Sequence, residues 1–247
     1  MATYPPLING LEKDAYAVGA RQLWPIGQKM QTPDGSIFRY AKMGATLGVA
    51  ANLYQSEASK ADWTTQAIAT TAMVVGDTTI TFTPAVGTAL SANDLAGGTV
   101  IAEETADLGG LYHVKSHPAA AGGAACVLTL EDGVTVQVAM AIAVNNVLTA
   151  LKNPWRDVIL GVITNPTGQA AGIPRVVIAA AGFGWLQTRG VASCLVVGTW
   201  VVGDRLAAGL TAAGGIGPSG AATDPSIAVA MLVGVVADFG HCFLTID

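Results

Sequence analysis

The chain has 247 residues, of which 51% are hydrophobic and only 12% are charged. Soluble domains carry roughly 25% charged residues, so this chain has about half the usual supply of charged surface side chains. Its longest apolar runs fall short of the about 20 residues of a membrane-spanning helix, and its N-terminus lacks the basic start and apolar stretch of a secretory signal. The composition therefore predicts a chain outside the membrane that covers part of its surface with other chains.

The charged residues argue against a direct nucleic-acid partner. The formal net charge is −5, and the 12 basic residues are scattered along the chain. Proteins that bind nucleic acid cluster lysine and arginine to neutralise phosphates. Cys126, Cys194 and Cys242 lie far apart, each in an apolar run. Metal sites need closely spaced pairs and disulfide scaffolds need many cysteines, so we interpret all three as small buried hydrophobic residues.

Residues 1–22 are predicted to form an extended N-terminal arm. Pro5 and Pro6 remove backbone donors and bias their neighbours to extended geometry, so the stretch from Tyr4 to Gly10 cannot be helical. A segment with so few local partners is either disordered or lies over a neighbouring subunit. The shortage of charged surface favours the second alternative.

The remaining sequence predicts a mainly β fold of short-stranded barrel or sandwich domains. Short runs rich in Val, Ile and Thr are separated by Gly, Asp-Gly and Pro, which is typical of many short strands. A first hairpin is expected at Thr32–Gly35, where proline sets φ and glycine permits a positive φ, with a strand at 36–41. Similar short apolar runs separated by glycine recur near the end of the chain, where the last strand is predicted at 241–246. We therefore assign one base domain to residues 23–69 and 151–247.

Residues 70–150 are predicted to form a small inserted β domain. One hairpin is expected over 73–83 around Gly76-Asp77, and a second over 127–136 around Asp132-Gly133. Two tight hairpins in one segment favour a small barrel or sandwich.

The sequence offers little material for catalysis, since its three histidines and 17 acidic residues form no convergent motif. His113 and His117 have the spacing of ligands on one helical face. However, this segment is typical of a strand ending at Pro118, where residues four apart lie about 13 Å from each other. We interpret both histidines as part of a solvated strand end, and we predict no enzymatic activity, no cofactor and no metal.

Three weaker patterns lack the context that their signatures need. Residues 215–220 match the dinucleotide fingerprint, but Pro218 lies inside it and no helix follows, so a flexible surface loop is expected. The similarity between 43–53 and 197–206 is too weak to indicate a duplication. An acidic run could bind a cation, although such a run is more often a solvated loop. It consists of Glu103, Glu104 and Asp107.

Several sequence blocks, taken in order, carry a family resemblance. They are Thr32-Pro-Asp-Gly-Ser-Ile-Phe-Arg-Tyr-Ala-Lys with Gly44-Ala-Thr-Leu, Tyr112-His-Val-Lys-Ser-His-Pro-Ala-Ala, Phe183-Gly-Trp-Leu-Gln-Thr-Arg-Gly and Phe243-Leu-Thr-Ile-Asp. Together they span most of the chain and resemble virion structural proteins of tailed bacteriophages. The resemblance implies a non-enzymatic decoration, or cement, protein on the outer surface of the capsid head. Such proteins are commonly β-rich trimers that clamp capsid subunits, which implies a homotrimer with the major capsid protein as partner.

Two other functions stay open. The chain could be a tail, neck or baseplate component, or residues 70–150 could project as an adhesion module for a host surface. The cement function agrees with the composition, because a protein that binds only the assembled shell stabilises that state by mass action. An acidic net charge also fits the outside of a shell, away from DNA.

The candidate contact residues are the large side chains in a sequence of small ones. Aromatic residues and arginine dominate interface hot spots. With the arm residues, they give a candidate set of Tyr4, Pro5, Pro6, Leu7, Trp24, Phe38, Arg39, Tyr40, Trp185 and Arg189. The alternative is that Trp24, Phe38 and Trp185 are ordinary core residues and that the arm is disordered.

Overall fold

A computed structural model describes residues 4–103, 109–162, 166–208, 211–220 and 224–247. The fold is mainly β, as predicted, and the helices among these residues are the short 3₁₀ turns Glu12–Tyr16 and Ala61–Trp63. The strands are, in chain order, β1 (Leu7–Asn9), β2 (Lys29–Gln31), β3 (Ile37–Lys42), β4 (Tyr54–Gln55), β5 (Gln66–Ile68), β6 (Thr79–Phe82), β7 (Thr99–Ala102), β8 (Gly110–Ser116), β9 (Cys126–Leu130), β10 (Ala143–Leu151), β11 (Ile159–Leu160), β12 (Ala170–Pro174), β13 (Phe183–Leu195), β14 (Arg205–Ala208), β15 (Ile216–Pro218), β16 (Ser226–Ala230) and β17 (Phe239–Thr245).

The chain divides into two compact units, each with its own sheet. Unit 1 combines Met1–Ala58 with Pro154–Asp247, and unit 2 is Ser59–Asn153. The sequence placed the insertion at 70–150, which lies inside unit 2.

The sheet of unit 1 is organised around the long strand β13. Its main path runs β1-β2-β3-β13-β17-β16-β14-β15, and β4, β11 and β12 join beside it. The first half of β13 pairs antiparallel with β3, and its second half pairs antiparallel with β17. Every second residue of β17 is buried, so one face of this sheet covers a core that includes Cys194, Trp200 and Leu206.

The predicted hairpin at Thr32–Gly35 is confirmed. It joins β2 to β3, which pair antiparallel, and Gly35 has a φ of +83°. The Thr32 and Ser36 hydroxyls donate to the Asp34 carboxylate and hold its pKa below the ordinary value. The expected last strand is also confirmed, as β17.

The predicted N-terminal arm lies in this structure against the chain's own sheet. Leu7–Asn9 pairs parallel with β2, and the Gly10 N–H donates to the Gln31 carbonyl (2.9 Å). The Gln28 Nε2 donates to the Pro5 carbonyl (2.8 Å). Leu7–Asn9 is extended, whereas Glu12–Tyr16 within the predicted arm of residues 1–22 is a 3₁₀ turn, and contact of the arm with a neighbouring subunit stays a prediction.

Unit 2 contains a six-stranded sheet in the order β5-β10-β7-β8-β9-β6. Alternating burial along β9 and β6 places one face of each strand on a core that includes Trp63, Phe82 and Leu128. The predicted turns at Gly76-Asp77 and Asp132-Gly133 form, but the hairpins expected around them do not. β6 pairs antiparallel with β9 instead, and in that arrangement Ile80 and Phe82 are buried in the core.

One turn recurs seven times in the described residues. A residue in an isolated β-bridge is followed, three positions later, by a residue with positive φ, and the next N–H donates back across a type II turn. The bridge residues are Gly48, Met73, Leu90, Ala120, Ile178, Trp200 and Gly234. The positive-φ residues are Ala51, Gly76, Asn93, Gly123, Ala181, Gly203 and Ala237. Three pairs of these turns face each other through the bridges Gly48–Ile178, Leu90–Ala120 and Trp200–Gly234.

The recurring turn explains the weak similarity between 43–53 and 197–206, since both segments contain one copy. The expectation of a surface loop at 215–220 was wrong. Ile216–Pro218 is β15, which pairs antiparallel with β14, and Ile216 and Gly217 are buried. The glycines there allow close packing against Val197, which leaves no room for a side chain at Gly217.

Candidate functional site

Two facing turns of unit 1 are held together by a buried tryptophan. Trp200 and Gly234 form the bridge, and the Trp200 ring packs directly on Gly234, where a side chain would have no room. The Trp200 Nε1–H donates to the Leu232 carbonyl (2.9 Å), and the Gly203 N–H donates to the Ala230 carbonyl (2.9 Å). These contacts fix the two turns side by side.

The tips of both turns carry apolar side chains in solvent. Val201-Val202 occupies one tip and Val235-Val236 the other, and residues 231–233 lie beside them. Turns are usually built from polar residues and glycine, because their backbone groups are solvated. Valine pairs at two adjoining tips are therefore not explained by the turn itself.

The neighbouring sheet face continues this apolar surface. Phe239 and Phe243 lie on the solvent face of β17. The strand register places Val191 on one side of Phe243 and Val229 on the other, close enough for side-chain contact. We call the combined set the apolar surface: Val191, Val201, Val202, Val229, Met231, Leu232, Val233, Val235, Val236, Phe239 and Phe243.

The apolar surface is large and carries no charge of its own. Each of its residues is 36–63% exposed. At roughly 100 Å² each their summed exposure is on the order of 1,000 Å², which is large beside the about 300–600 Å² of the largest apolar patch on a typical monomer. The exposed His241 lies between Phe239 and Phe243 on the same strand face. No Asp, Glu, Lys or Arg occurs in 190–203 or 225–237. Such a surface is typical of a protein–protein contact.

Several predicted contact residues lie in the core of unit 1 instead. Phe38, Tyr40 and Trp185 are each at most 3% exposed, so they cannot reach a partner, which corrects that expectation. The Tyr40 and Trp185 rings pack edge to face at 5.1 Å. Trp24 is half-buried against the same cluster. The β3–β13 pair is covered on both faces, with Phe38, Tyr40 and Trp185 in one core cluster and Ala41 and Leu186 in another, and the sequence does not give this double burial.

Arg39 is bound within its own chain. Its Nε donates to Asp247 Oδ2 (2.8 Å), and Nη2 donates to Asp247 Oδ1 (2.9 Å). The guanidinium also lies 4.8 Å from the centre of the Trp155 ring. These bonds hold the pKa of Asp247 below its ordinary value. Arg39 is therefore a structural residue, whereas the predicted Arg189 is exposed on the solvent face of β13.

The arm residues keep exposed side chains although their backbone is engaged. Tyr4, Pro5, Pro6 and Leu7 are exposed. The Tyr4 ring packs edge to face on Trp24 at 5.7 Å. The arm therefore presents a small apolar edge of unit 1.

His113 and His117, which have the spacing of metal ligands on a helix, lie in different environments. His113 is exposed on β8, as expected. His117 is buried, so its assignment to a solvated strand end was wrong. Its Nε2 accepts from the Leu95 N–H (2.9 Å), and its Nδ1 lies 2.7 Å from the Pro118 carbonyl. Both ring nitrogens are thus occupied by the backbone.

The remaining candidate groups are the three cysteines and the acidic run that begins at Glu103. All three cysteines are buried and free, as predicted. Hydrogen bonding with Cys194 and burial raise the pKa of Cys242, and burial raises the pKa of Cys126, which disfavours the thiolate. Glu104 and Asp107 lie outside the described residues. Among the residues described, no group of three or more potential metal ligands is found.

Comparison of the chain with protein-family models, curated proteins and solved structures gives no match. None of the helices in the described part of the chain is long and apolar enough to span a membrane.

The apolar surface was not predicted, although the sequence carries a signal for it. Val-Val-Gly-Asp occurs at 201–204 and Val-Val-Ala-Asp at 235–238, both within the apolar surface, and Val-Val-Gly-Asp also occurs at 74–77 in unit 2. Valine in the exposed positions of a predicted turn is unusual, and the lack of charge on both sides strengthens that signal. The predicted contact residues were chosen for their large aromatic side chains, but most of those side chains lie in the core.

Proposed function

We propose that the chain is a non-enzymatic structural protein of a phage virion that decorates the outer surface of the capsid head. The observation that supports this function is the apolar surface, whose 11 side chains are exposed in the isolated chain. A surface of this kind becomes favourable when another protein covers it, at about 25 cal/mol for each Å² removed from water. The sequence resemblance to virion structural proteins supplies the kind of assembly.

Homotrimer formation and attachment to the major capsid protein belong to the same proposal. Besides the apolar surface, the described residues of unit 1 expose further apolar side chains, among them Tyr4 and Leu7. Together these side chains offer area for contacts within a trimer and with the shell. Binding to the assembled shell alone would stabilise it by mass action.

Co-sedimentation with empty capsid shells tests this proposal. Purified protein is mixed with compact and with expanded shells of a tailed phage that carries it, and bound protein is measured in the pellet. We expect saturable binding to expanded shells. Val202→Asp should reduce it about tenfold or more, because a carboxylate would be desolvated in the contact. Protein that stays in the supernatant with both kinds of shell contradicts the proposal.

Electron microscopy of labelled particles tests the location. Label distributed over the head supports decoration, while label at one vertex or on the tail indicates the alternative of a neck, tail or baseplate component. Particles that lack residues 70–150 test adhesion: loss of adsorption with normal thermal stability would identify that segment as a host-binding module.

A further inference from the structure

A pocket of about 540 Å³ lies in unit 1 next to the apolar surface. Val191 and Phe239 belong to both, while Arg175, Ser193 and His241 supply polar groups to the pocket wall. Its volume lies within the about 300–1,000 Å³ of typical ligand pockets. The pocket wall therefore carries one cation, Arg175, and one carboxylate, Glu12, whereas the apolar surface beside it carries no charge.

The Arg175 guanidinium in this pocket is held in a fixed orientation. Buried Gln187 donates from Nε2 to the carbonyls of Val191 (2.9 Å) and Arg189 (3.1 Å), which turns its Oε1 toward Arg175. The Arg175 Nε donates to that oxygen at 2.9 Å. The guanidinium carbon lies 4.9 Å from the centre of the Phe38 ring. One edge and one face of the group are therefore occupied by the protein.

The two terminal nitrogens of Arg175 lack a strong partner. Among the residues that the structure describes, its hydrogen bond to Gln187 is the only one that the guanidinium makes. Glu12 Oε1 lies 3.6 Å from Nη1, and the Glu12 side chain is 76% exposed, so this ion pair is weak. The nearby Asp34 carboxylate is bound by Thr32 and Ser36. A pre-oriented guanidinium of this kind fits a carboxylate through two parallel hydrogen bonds.

The same pocket contains one strand residue, Ser193, whose backbone N–H and C=O make no hydrogen bond with the residues that the structure describes. The Met231 N–H donates to the His241 carbonyl, so the backbone groups of His241 face β16. Ser193 lies opposite His241, and its N–H and C=O therefore face away from β17, on the side of the pocket. Two residues further on, the Leu195 N–H donates to the Ala51 carbonyl (2.8 Å), which closes this gap in the sheet.

We propose that this pocket binds an extended peptide segment that carries an aspartate or a glutamate. The carboxylate would bind Arg175, the peptide backbone would pair with Ser193, and an apolar neighbour would pack on Val191 and Phe239. Addition of a strand to a free edge supplies affinity through backbone hydrogen bonds, and the side-chain pocket supplies specificity. A small free carboxylate uses only the first of these contacts.

Titration with synthetic peptides, followed by amide NMR shifts of the labelled full chain, tests the ligand class separately from any shell. The probe is an end-blocked Val-Thr-Glu-Val-Thr peptide, compared with its glutamine analogue and with butyrate. We expect saturable shifts at Ser193, and binding about tenfold weaker for the glutamine peptide and for butyrate. Equal affinity for the two peptides would overturn the carboxylate contact. Equal affinity for butyrate would overturn the peptide contact.

Variants give effects of opposite sign. Arg175→Gln should weaken the glutamate peptide about tenfold, while the matched control Arg205→Gln, an exposed arginine of the same unit, should change nothing. Glu12→Gln should tighten binding about two- to fivefold, because it removes the weak competing carboxylate from Arg175. This second variant keeps the test decisive if Arg175→Gln fails to fold. Unchanged or weaker binding by Glu12→Gln contradicts the proposal.

Discussion

The turn pair at Trp200 and Gly234 in unit 1 and the turn pair at Leu90 and Ala120 in unit 2 share one backbone design. Each pair faces across a bridge, and each turn has a positive φ three residues after its bridge residue. The exposed positions differ. The unit 1 pair shows Val201-Val202 and Val235-Val236, and the unit 2 pair shows Ser91-Ala92 and Ala121-Gly122.

This difference shows which residues the turn geometry requires and which residues are exposed at the tips for another reason. The unit 2 pair forms with small and polar residues, so the backbone geometry does not require valine at these positions. Buried residues below the turns, such as Trp200 and Leu90, are apolar in both units because they pack in a core. The turn geometry therefore does not require the exposed valines, and their clustering with Phe239 and Phe243 in unit 1 favours a contact with another protein.

The largest effect is expected from removing the large buried side chain below each turn pair. Trp200→Ala should destabilise unit 1 by about 3–5 kcal/mol, because it leaves a large cavity, and Leu90→Ala should destabilise unit 2 by about 2–5 kcal/mol. Denaturant unfolding gives the size of each loss, and hydrogen exchange with mass spectrometry assigns it to a unit. A loss below about 1 kcal/mol for Trp200→Ala would show that the ring does not hold the turns.

A charge introduced at a turn tip should weaken self-association in the unit 1 turn pair and have no effect in the unit 2 turn pair. Val202→Asp should weaken self-association about a hundredfold, because the carboxylate loses its water in the contact. Ala92→Asp is the matched control at the equivalent position of the unit 2 turn, and it should leave association unchanged. Sedimentation velocity over a range of concentrations measures both. Equal effects of the two variants would mean that the valines are not a contact.

Alanine at the positive-φ glycine should have the same effect in both units. Gly203 (φ +89°) and Gly76 (φ +94°) have open space around their Cα atoms, so Gly203→Ala and Gly76→Ala introduce only backbone strain. We expect a loss of about 1–2 kcal/mol for each, measured by denaturant unfolding. Losses that differ by more than about 1 kcal/mol would show that the two turns are not equivalent in geometry.

The smallest effect is expected from the reverse change. Ala237→Gly should stabilise unit 1 by up to about 1 kcal/mol, because alanine at φ +65° is strained. Asn93→Gly, at φ +62°, should gain less, because asparagine tolerates this conformation better. Thermal unfolding of the two variants and the wild-type chain compares the gains. Destabilisation by Ala237→Gly would contradict the strain.

Features that a few neighbouring residues determine were predicted correctly. Features that depend on contacts between residues far apart in the chain were not. The turns at Thr32–Gly35, Gly76-Asp77 and Asp132-Gly133 were predictable, because a few residues set their φ and ψ angles. The pairing of β6 with β9 was not, because β6 also fits a local hairpin and only the shared core distinguishes the two. The burial of Phe38 and Tyr40 was not predictable for the same reason, because it also depends on strand pairing.

The Arg175 pocket lay beyond sequence reasoning for a related reason. Arg175 lies in the turn after β12, whereas Gln187 and Ser193 lie on β13, and only the strand register brings the three together. Isolated polar residues at such spacing match no motif. Their common role depends on Gln187 being buried, which is a property of the folded sheet.

The sequence by itself determined that this chain is charge-poor, mainly β and rich in tight turns, because composition and local backbone preference decide those properties. Only the tertiary structure decided which strands pair, which aromatic residues enter the core and which valines stay in solvent. The physical reason is that burial depends on contacts between residues far apart in the chain. A valine in a strand and a valine at a turn tip look alike in sequence, and the fold alone separates them.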